Sequence, residues 1–385
     1  MMLQTPTLQF LADKALEEIL ERAAPILGEF YIAFIPSRLN FVTGRASSVP
    51  PPKTAHWMAN VPDETRLVDM NLPGTHDCAT WNYSAERQAE LEKYTGPLRS
   101  HVFFRCQDRS LLDSLDDGIR AFDMRLGYNP GEDTIGFYHG RALLSPTTSF
   151  DDVLFGLYHW LVYHPTETIL VSIQQEEGSL TTYDEKFEAM LHASLTTPVA
   201  QQFWLQTKGR LGTLGEARGK LVLLQRFTYE FLPALGETHE YGIHLGAAKW
   251  TPNGADIKLV YSAEPRRVAY IQDNFMPLVP HNSGPDANIS AKFAVVTTHL
   301  DKAISTSSNA TEALYVSFAS AHANRDTVPV TPNIIALGDG AGTPGMNERL
   351  LPWLTERKGK RFGIVLLDFY HSQPALVQTI IGLSM

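Results

Sequence analysis

The residues of this sequence that are best suited to catalysis lie where short apolar segments end. His76 and Asp77 follow one such segment, Asp123 and Arg125 follow the next, and His139 follows a third. The complete set is His76, Asp77, Asp123, Arg125, His139, Arg226, Asp273 and Asp368. Polar groups that close apolar segments cost free energy unless they are paired or used. The pattern therefore predicts one shared polar site.

These residue types suit phosphoryl transfer in which a hydroxyl of the substrate is the nucleophile. One imidazole can remove the proton from the attacking hydroxyl, and a second can protonate the leaving alkoxide. Each imidazole needs a carboxylate that fixes its tautomer and stabilises its charged form. A guanidinium can bind two non-bridging phosphate oxygens at once.

Apolar β-rich segments alternate with helical patterns through most of the chain, as a parallel sheet requires. The predicted strands are Arg66–Leu72, Ile119–Arg125, Thr134–Tyr138, Thr168–Ile173, Lys220–Gln225, Val268–Ile271, Ala313–Phe318 and Phe362–Leu367. The predicted helices are Ser110–Asp117, Phe150–His164, Thr182–Leu195, Asn288–Ser305, Gly345–Arg357 and Pro374–Leu383, with Ser149 or Asp151 as a cap. Eight strands predict an α/β fold, an imperfect (β/α)8 barrel whose site lies at the carboxyl ends of the strands. An open doubly wound sheet is the alternative.

The first 55 residues are predicted to be an annex to this barrel, which would span residues 56–385. A helix is expected over Leu8–Leu27, and the triple proline in Ser47–Pro52 indicates a linker. We expect no signal peptide, because the N-terminus lacks a basic flank followed by an apolar core. A cytoplasmic or peripheral membrane location is therefore favoured over secretion.

The bulk composition excludes some partners. The net charge of −10 argues against nucleic acid, which requires a basic face. The same charge indicates that any membrane contact is local, peripheral and mostly apolar. The two cysteines, Cys78 and Cys106, form neither a CxxC pair nor a disulfide framework. Cys78 is expected to be a packed thiol rather than a nucleophile, because the substrate supplies the nucleophile.

Four motifs in order resemble the X domain of phosphatidylinositol-specific phospholipase C. They are Leu-Pro-Gly-Thr-His-Asp (72–77), Gly-Ile-Arg-Ala-Phe-Asp-Met-Arg (118–125), His-Gly (139–140) and His-Pro-Thr-Glu-Thr-Ile (164–169). His164 replaces the asparagine that is usual in the family. The resemblance extends over roughly residues 60–385. Because Arg125 stands where calcium-dependent members place acidic ligands, the chain resembles the bacterial, metal-independent branch.

The resemblance implies a role for each catalytic position and no metal or other cofactor. His76 would be the general base for the inositol 2-hydroxyl, with Asp368 supporting it. His139 would be the general acid for the diacylglycerol leaving group, with Asp77 beside it. Arg125 would stabilise the charge on phosphorus, and Asp123 would orient Arg125 and the substrate. The implied substrate is an inositol phospholipid at a membrane surface.

The headgroup positions depart from the family pattern. Arg226 and Asp273 match the arginine and the aspartate that contact inositol in the family. Gln174 stands where a lysine is usual, and Phe275 where a stacking tyrosine is usual. Phe275 can still stack on a sugar ring, and Gln174 can hydrogen-bond a hydroxyl without carrying charge.

Two alternatives stay open from the sequence. The pair His76-Asp77 also occurs in metal phosphohydrolases, although Arg125 would repel a divalent cation. A barrel that binds lipids or phosphoinositides without turnover is the second alternative. The complete set of six catalytic positions favours an enzyme.

Overall fold

The structure is a computed structural model, and it describes residues 5–29, 53–238, 241–263, 266–306 and 312–383. The strands in these ranges are β1 (Leu72–Thr75), β2 (Ala121–Tyr128), β3 (Ile135–His139), β4 (Ala142–Leu143), β5 (Ile169–Gln175), β6 (Leu221–Gln225), β7 (Ile243–His244), β8 (Ile257–Ser262), β9 (Arg267–Gln272), β10 (Ala313–Phe318) and β11 (Ile364–Leu367). The α-helices are α1 (Thr5–Leu27), α2 (Ala85–Thr95), α3 (Leu111–Asp117), α4 (Phe150–Tyr163), α5 (Glu185–Thr196), α6 (Ala200–Phe203), α7 (Leu214–Ala217), α8 (Pro233–Thr238), α9 (Gly284–Ser305), α10 (Pro332–Leu337), α11 (Met346–Glu356) and α12 (Pro374–Ile381). No helix among them is both long and apolar enough to cross a bilayer.

The sheet is a nearly closed barrel with the order β7-β6-β5-β2-β1-β11-β10-β9-β8. The first eight strands of this order run parallel to their neighbours, and β8 is antiparallel to β9. Within the described ranges no ladder joins β7 to β8, so the barrel stays open there. The predicted imperfect (β/α)8 barrel is confirmed, and the open doubly wound sheet is wrong.

Two of the predicted strands need correction. The segment predicted as the third barrel strand forms β3, which is the antiparallel hairpin partner of β2. Only residues 129–134 separate the two strands, which is too short for a parallel crossover. The first barrel strand is β1 rather than Arg66–Leu72, because Leu67–Asp69 forms a 3-10 turn. The eighth parallel strand is β7, whose two residues give no periodic signal.

The barrel interior and the helical layer are both apolar. Interior positions of the strands include Leu72, Ala121, Leu170, Val316 and Ile364, all of which are almost fully buried. Outside the sheet, α4 begins as predicted at Ser149. The Ser149 hydroxyl accepts from the amide of Asp152 at 3.1 Å, and the Asp152 carboxylate accepts from the amide of Ser149 at 3.1 Å. This reciprocal capping fixes where the helix begins.

The helix α1 packs on the barrel beside the loop that follows β1. Ala23, Ile26 and Leu27 are buried in the main apolar cluster. The indole of Trp81 donates to the carbonyl of Ile26 at 2.8 Å, and the Asn82 amide donates to Pro25 at 2.7 Å. The predicted linker at residues 47–52 lies outside the described residues.

Two of the sequence motifs meet in a buried ion pair at the amino ends of β2 and β5. The guanidinium of Arg120 and the carboxylate of Glu167 are both fully buried and lie 2.7 Å apart. Arg120 also donates to the carbonyls of Leu115 and Ala55. Removing either partner would leave an uncompensated buried charge, so this pair has a structural role far from the carboxyl ends of the strands.

Candidate active site

The loop after β1 brings His76 and Asp77 to the carboxyl end of the barrel. Gly74 allows β1 to lie close to its neighbours, since a Cβ there would be 2.7 Å from the carbonyl oxygen of Ala121. Asp77 then adopts a left-handed conformation with φ of 42°, which turns the chain sharply after the strand. The Thr80 hydroxyl donates to the Asp77 carbonyl at 2.8 Å and stabilises this turn.

The structure brings both predicted imidazoles to one carboxylate. Nε2 of His76 and Nε2 of His139 each lie 3.2 Å from Oδ2 of Asp77. On the opposite edge of the first ring, Nδ1 of His76 lies 2.9 Å from Oδ1 of Asp368. An ionised carboxylate only accepts, so Nδ1 carries the proton and neutral His76 has a free lone pair on Nε2. This tautomer is the one that a general base needs.

His139 has a different partner on its Nδ1. This atom lies 2.6 Å from the carbonyl oxygen of Phe104, which can only accept, so Nδ1 is the donor. Nε2 of His139 is then the nitrogen that would carry the proton of a general acid, and it faces the buried carboxylate of Asp77. The two histidines are therefore prepared for opposite proton transfers.

The electrostatic surroundings raise the pKa of His76. Burial alone lowers the pKa, but the carboxylates of Asp368 and Asp77 favour the imidazolium, and their combined effect prevails. Arg125 acts in the opposite direction. The proton that His76 accepts is thus stabilised by carboxylates on both sides of the ring.

Arg125 lies at the centre of three carboxylates. Its Nε is 3.0 Å from Asp77, one Nη is 3.2 Å from Asp123, and the other Nη is 3.5 Å from Glu176. These carboxylates raise the pKa of Arg125 although burial lowers it. Glu176 was not predicted, and its signal is its position directly after Gln174 and Gln175 of β5.

Asp123 joins the centre to the predicted headgroup residues. It is fully buried, and its second oxygen lies 3.1 Å from the guanidinium of Arg226. Burial raises the pKa of Asp123, but Arg125 and Arg226 outweigh burial and lower it overall. Arg226 is also 4.0 Å from Asp273. All six predicted catalytic residues and two of the headgroup residues thus form one contiguous network, which Asp368 joins through His76.

Trp250, which was not predicted as a site residue, supports Arg226 and Asp273. The guanidinium of Arg226 stacks 3.8 Å above the Trp250 ring, and the indole nitrogen donates to Asp273 at 2.7 Å. Trp250 follows a 3-10 turn in the loop after β7, so no strand pattern pointed to it.

Gln174 and Phe275 lie at the edge of this network. Gln174 pairs with Arg125 in the parallel register of β5 and β2, so the two side chains leave the sheet on the same side. The ring of Phe275 lies 5.9 Å from that of His322. Both positions are partly exposed, as a contact with a ligand requires.

Cys106 and Gln107 each contact one of the two histidines. The Gln107 amide donates to the carbonyls of His76 at 2.7 Å and Leu367 at 2.9 Å, which ties the β1 loop to β11. The Cys106 thiol lies 3.9 Å from Nδ1 of His139. Neither residue was singled out for this site, because both lie in an irregular segment whose packing the sequence does not reveal.

Cys106 also belongs to two clusters of three side chains whose ligand atoms lie close enough together to bind one metal ion. These groups are His76, Cys106 and Asp368, and Asp77, Cys106 and His139, with ligand atoms within 4.8 Å of one another. Burial raises the pKa of the Cys106 thiol well above its ordinary value, which disfavours the thiolate that binds metals. Arg125 supplies a positive charge 3.0 Å from Asp77. The donor set is therefore a poor match for a divalent cation.

Comparisons with known proteins agree with the resemblance drawn from the motifs. Residues 93–227 match the family model of the phosphatidylinositol-specific phospholipase C X domain. A 1-phosphatidylinositol phosphodiesterase of Listeria monocytogenes is 26% identical over 324 residues, which cover 83% of this chain and 82% of the relative. One from Staphylococcus aureus is 25% identical over 201 residues, which cover 51% of this chain and 57% of the relative.

Solved structures share the fold. A mutant phosphatidylinositol-specific phospholipase C of Staphylococcus aureus has a TM-score of 0.66 at 20% identity, covering 86% of this chain and 97% of that protein. The Listeria monocytogenes enzyme has a TM-score of 0.57 at 22% identity, covering 85% and 97%. These likenesses establish the barrel architecture independently of the motifs.

Proposed function

We propose that this chain, which is related in sequence and fold to the bacterial phosphatidylinositol-specific phospholipases C, is a phosphodiesterase that cleaves an inositol phospholipid. The products are diacylglycerol and inositol 1,2-cyclic phosphate. The observation that carries the proposal is the position of Asp77 Oδ2, 3.2 Å from Nε2 of both His76 and His139. A base and an acid thus flank one small volume, and a guanidinium borders it.

The reaction is an internal transfer at phosphorus. The inositol 2-hydroxyl attacks, its oxygen bonds to phosphorus, and its proton passes to Nε2 of His76. The bond from phosphorus to the diacylglycerol oxygen breaks, and Nε2 of His139 gives its proton to that oxygen. Asp368 stabilises the imidazolium on His76, and Asp77 compensates both rings. No water enters this step, so the first product is the cyclic diester.

Arg125 stabilises the charge on the non-bridging oxygens. Its guanidinium is held by Asp77, Asp123 and Glu176, so its direction is set before the substrate binds. Such preorganised charge lowers the barrier because it needs no rearrangement in the transition state. A cation fixed in this way does the work that a divalent metal would do elsewhere, so we propose a reaction without metal.

The inositol ring is bound by the neighbouring polar groups. Arg226 and Asp273 contact ring hydroxyls, and Trp250 holds both of these side chains in place. Phe275 offers a ring face for stacking, and Gln174 offers an uncharged amide. Inositol lipids are therefore preferred over choline lipids, with weaker selection of the unmodified headgroup than a lysine at position 174 would give.

The enzyme meets its lipid through an apolar rim around the site. We define this rim as Leu180, Phe231, Leu278 and Val328, which are 74%, 53%, 95% and 77% exposed. These residues lie on the loops that follow β5, β6, β9 and β10, so they surround the carboxyl end of the barrel. Shallow insertion of these side chains gives a peripheral contact at a membrane surface without strong charge attraction.

The test is the identity of the first product. Vesicles of phosphatidylinositol are incubated with the enzyme and a chelator, and phosphorus NMR distinguishes cyclic from linear inositol phosphate. We expect the cyclic diester with the wild type and its loss in His76→Ala and His139→Ala. Vesicle binding without any product would contradict the proposal and would support a lipid-binding barrel without turnover.

A further inference from the structure

The segment that carries Asp273 and Phe275 is held by contacts that the reaction does not use. We call residues 273–276, which follow β9, the headgroup segment. The amide of Asp273 donates to the carbonyl of Gly254 at 2.8 Å, and the amide of His322 donates to the carbonyl of Phe275 at 2.8 Å. The Asn253 side chain donates to the carbonyl of Met276 at 2.9 Å and accepts from its amide at 2.7 Å.

A further carbonyl of the segment, that of Asn274, is bound by a buried lysine. Nζ of Lys292, on α9, donates to the carbonyl oxygen of Asn274 at 2.7 Å. The residue is 0% exposed and is among the largest fully buried side chains. In the described part of the chain, this carbonyl is the one hydrogen-bond acceptor of Nζ. The peptide that links Asp273 to Phe275 therefore depends on Lys292.

A buried lysine at this position carries a large free-energy cost of desolvation. Lysine is almost never fully buried without a charged partner, and a methionine would fill similar space at no desolvation cost. Burial lowers the pKa of Lys292 to about 7, while Asp273 and Asp368 act in the opposite direction. Stability alone thus gives no reason for a lysine, whereas its hydrogen bond to the peptide between Asp273 and Phe275 does.

We propose that Lys292 is a positioning residue for substrate recognition. It fixes the backbone between Asp273 and Phe275, so both side chains keep the spacing that an inositol ring requires. The inference rests on the proposed function of the site. Because Lys292 touches neither imidazole nor Arg125, it acts on the binding of the headgroup rather than on the transfer at phosphorus.

The first test separates KM from kcat in Lys292→Met. Loss of a hydrogen bond from a charged donor should raise KM for phosphatidylinositol by about tenfold, with kcat changed by less than about threefold. Lys302→Met is the matched control, because Lys302 is on the same helix but pairs with Asp256 at the surface. We expect the control to keep the wild-type KM. A KM in Lys292→Met equal to that of the control would overturn the inference.

The second test does not require activity. Hydrogen exchange of the peptide containing residues 273–276 should be faster in Lys292→Met than in wild type and in Lys302→Met. Lys292→Gln, whose shorter side chain cannot reach Asn274, should behave in the same way and serves if the methionine variant does not fold. Unchanged exchange in the folded variant contradicts the positioning role. If the wild type cleaves no inositol lipid, the proposed function fails, but the exchange comparison still decides this point.

Discussion

The rings of His76 and His139 lie edge to face, with 6.1 Å between their centroids and an angle of 85° between their planes. At this distance both imidazoles can act on the oxygens of one phosphate. A base and an acid that act on one phosphate must lie within about 10 Å of each other. The observed arrangement satisfies that condition.

The first prediction concerns the pH dependence of activity. His76 must be neutral in the free enzyme to accept a proton, and its pKa is raised above 6.5. The low-pH limb of kcat/KM should therefore lie above 6.5. Asp368→Asn removes a negative charge that favours the imidazolium, so the pKa of His76 falls and the limb moves to lower pH. The rate at the optimum should also fall by roughly 10²-fold or more.

The matched control for this profile is Asp286→Asn, because Asp286 pairs with Arg349 at the surface. Its kcat/KM profile should coincide with that of the wild type. A limb that stays in place in Asp368→Asn would mean that His76 is not the group that titrates.

The second prediction concerns the shape of the cation at position 125. The three carboxylates around Arg125 are contacted by different nitrogens of one planar group. An ammonium cannot make these contacts and also bind two phosphate oxygens. Arg125→Lys should lower kcat by at least about tenfold, measured at saturating lipid. Arg109→Lys, a surface control whose residue pairs with Asp117, should retain the wild-type kcat.

The third prediction concerns metal. Arg125 compensates the carboxylates that a divalent cation would need, so calcium has no uncompensated acidic pocket at this position. Turnover should be the same with and without a chelator, and added calcium should not increase it. If the chelator abolished activity and added calcium restored it, this chain would use calcium-dependent chemistry.

The strand ends predicted most of this site, and particular contacts explain why. The resemblance paired Asp368 with His76 although 292 positions separate them. The structure brings the two together because β1 and β11 are adjacent parallel strands whose ends coincide. His139 lies at the same face as His76 even though β3 is a hairpin strand, because the hairpin returns its end to that face. The placement of these side chains was therefore less sensitive to error than the predicted topology.

Residues on irregular loops were the ones that sequence reasoning missed. Trp250, Cys106 and Gln107 lie outside any strand or α-helix, and their contacts depend on how distant loops pack. The buried Lys292 was missed for a different reason, since its helix looks amphipathic and a lysine there is expected to face solvent. Periodicity predicts which elements exist but not which exceptional side chain they bury.

The fourth prediction concerns the apolar rim. Leu278 is 95% exposed beside the headgroup segment, and burying it in lipid contributes roughly 1.5–3 kcal/mol. Leu278→Glu should weaken binding to phosphatidylinositol-containing vesicles by about tenfold or more, measured by sedimentation. Turnover of a soluble short-chain substrate should remain unchanged. Val162→Glu, on the outer helix α4, is the control and should bind as the wild type does. Equal binding by the two variants would exclude this part of the rim as the membrane contact.

The fifth prediction concerns headgroup preference at position 174. Gln174 leaves the sheet on the same side as Arg125, which pairs with Glu176. A lysine at position 174 could therefore contact both a ring hydroxyl and an acidic side chain. A charge-assisted hydrogen bond contributes roughly 1.5–3 kcal/mol, so Gln174→Lys should raise kcat/KM for phosphatidylinositol by about ten- to a hundredfold. The measurement compares plain and glycosylated inositol lipids in the same vesicles. Gln175→Lys is the matched control, because the adjacent strand residue leaves the sheet on the opposite side. An unchanged or lower rate in a folded Gln174→Lys variant would show that Gln174 serves a different headgroup or none.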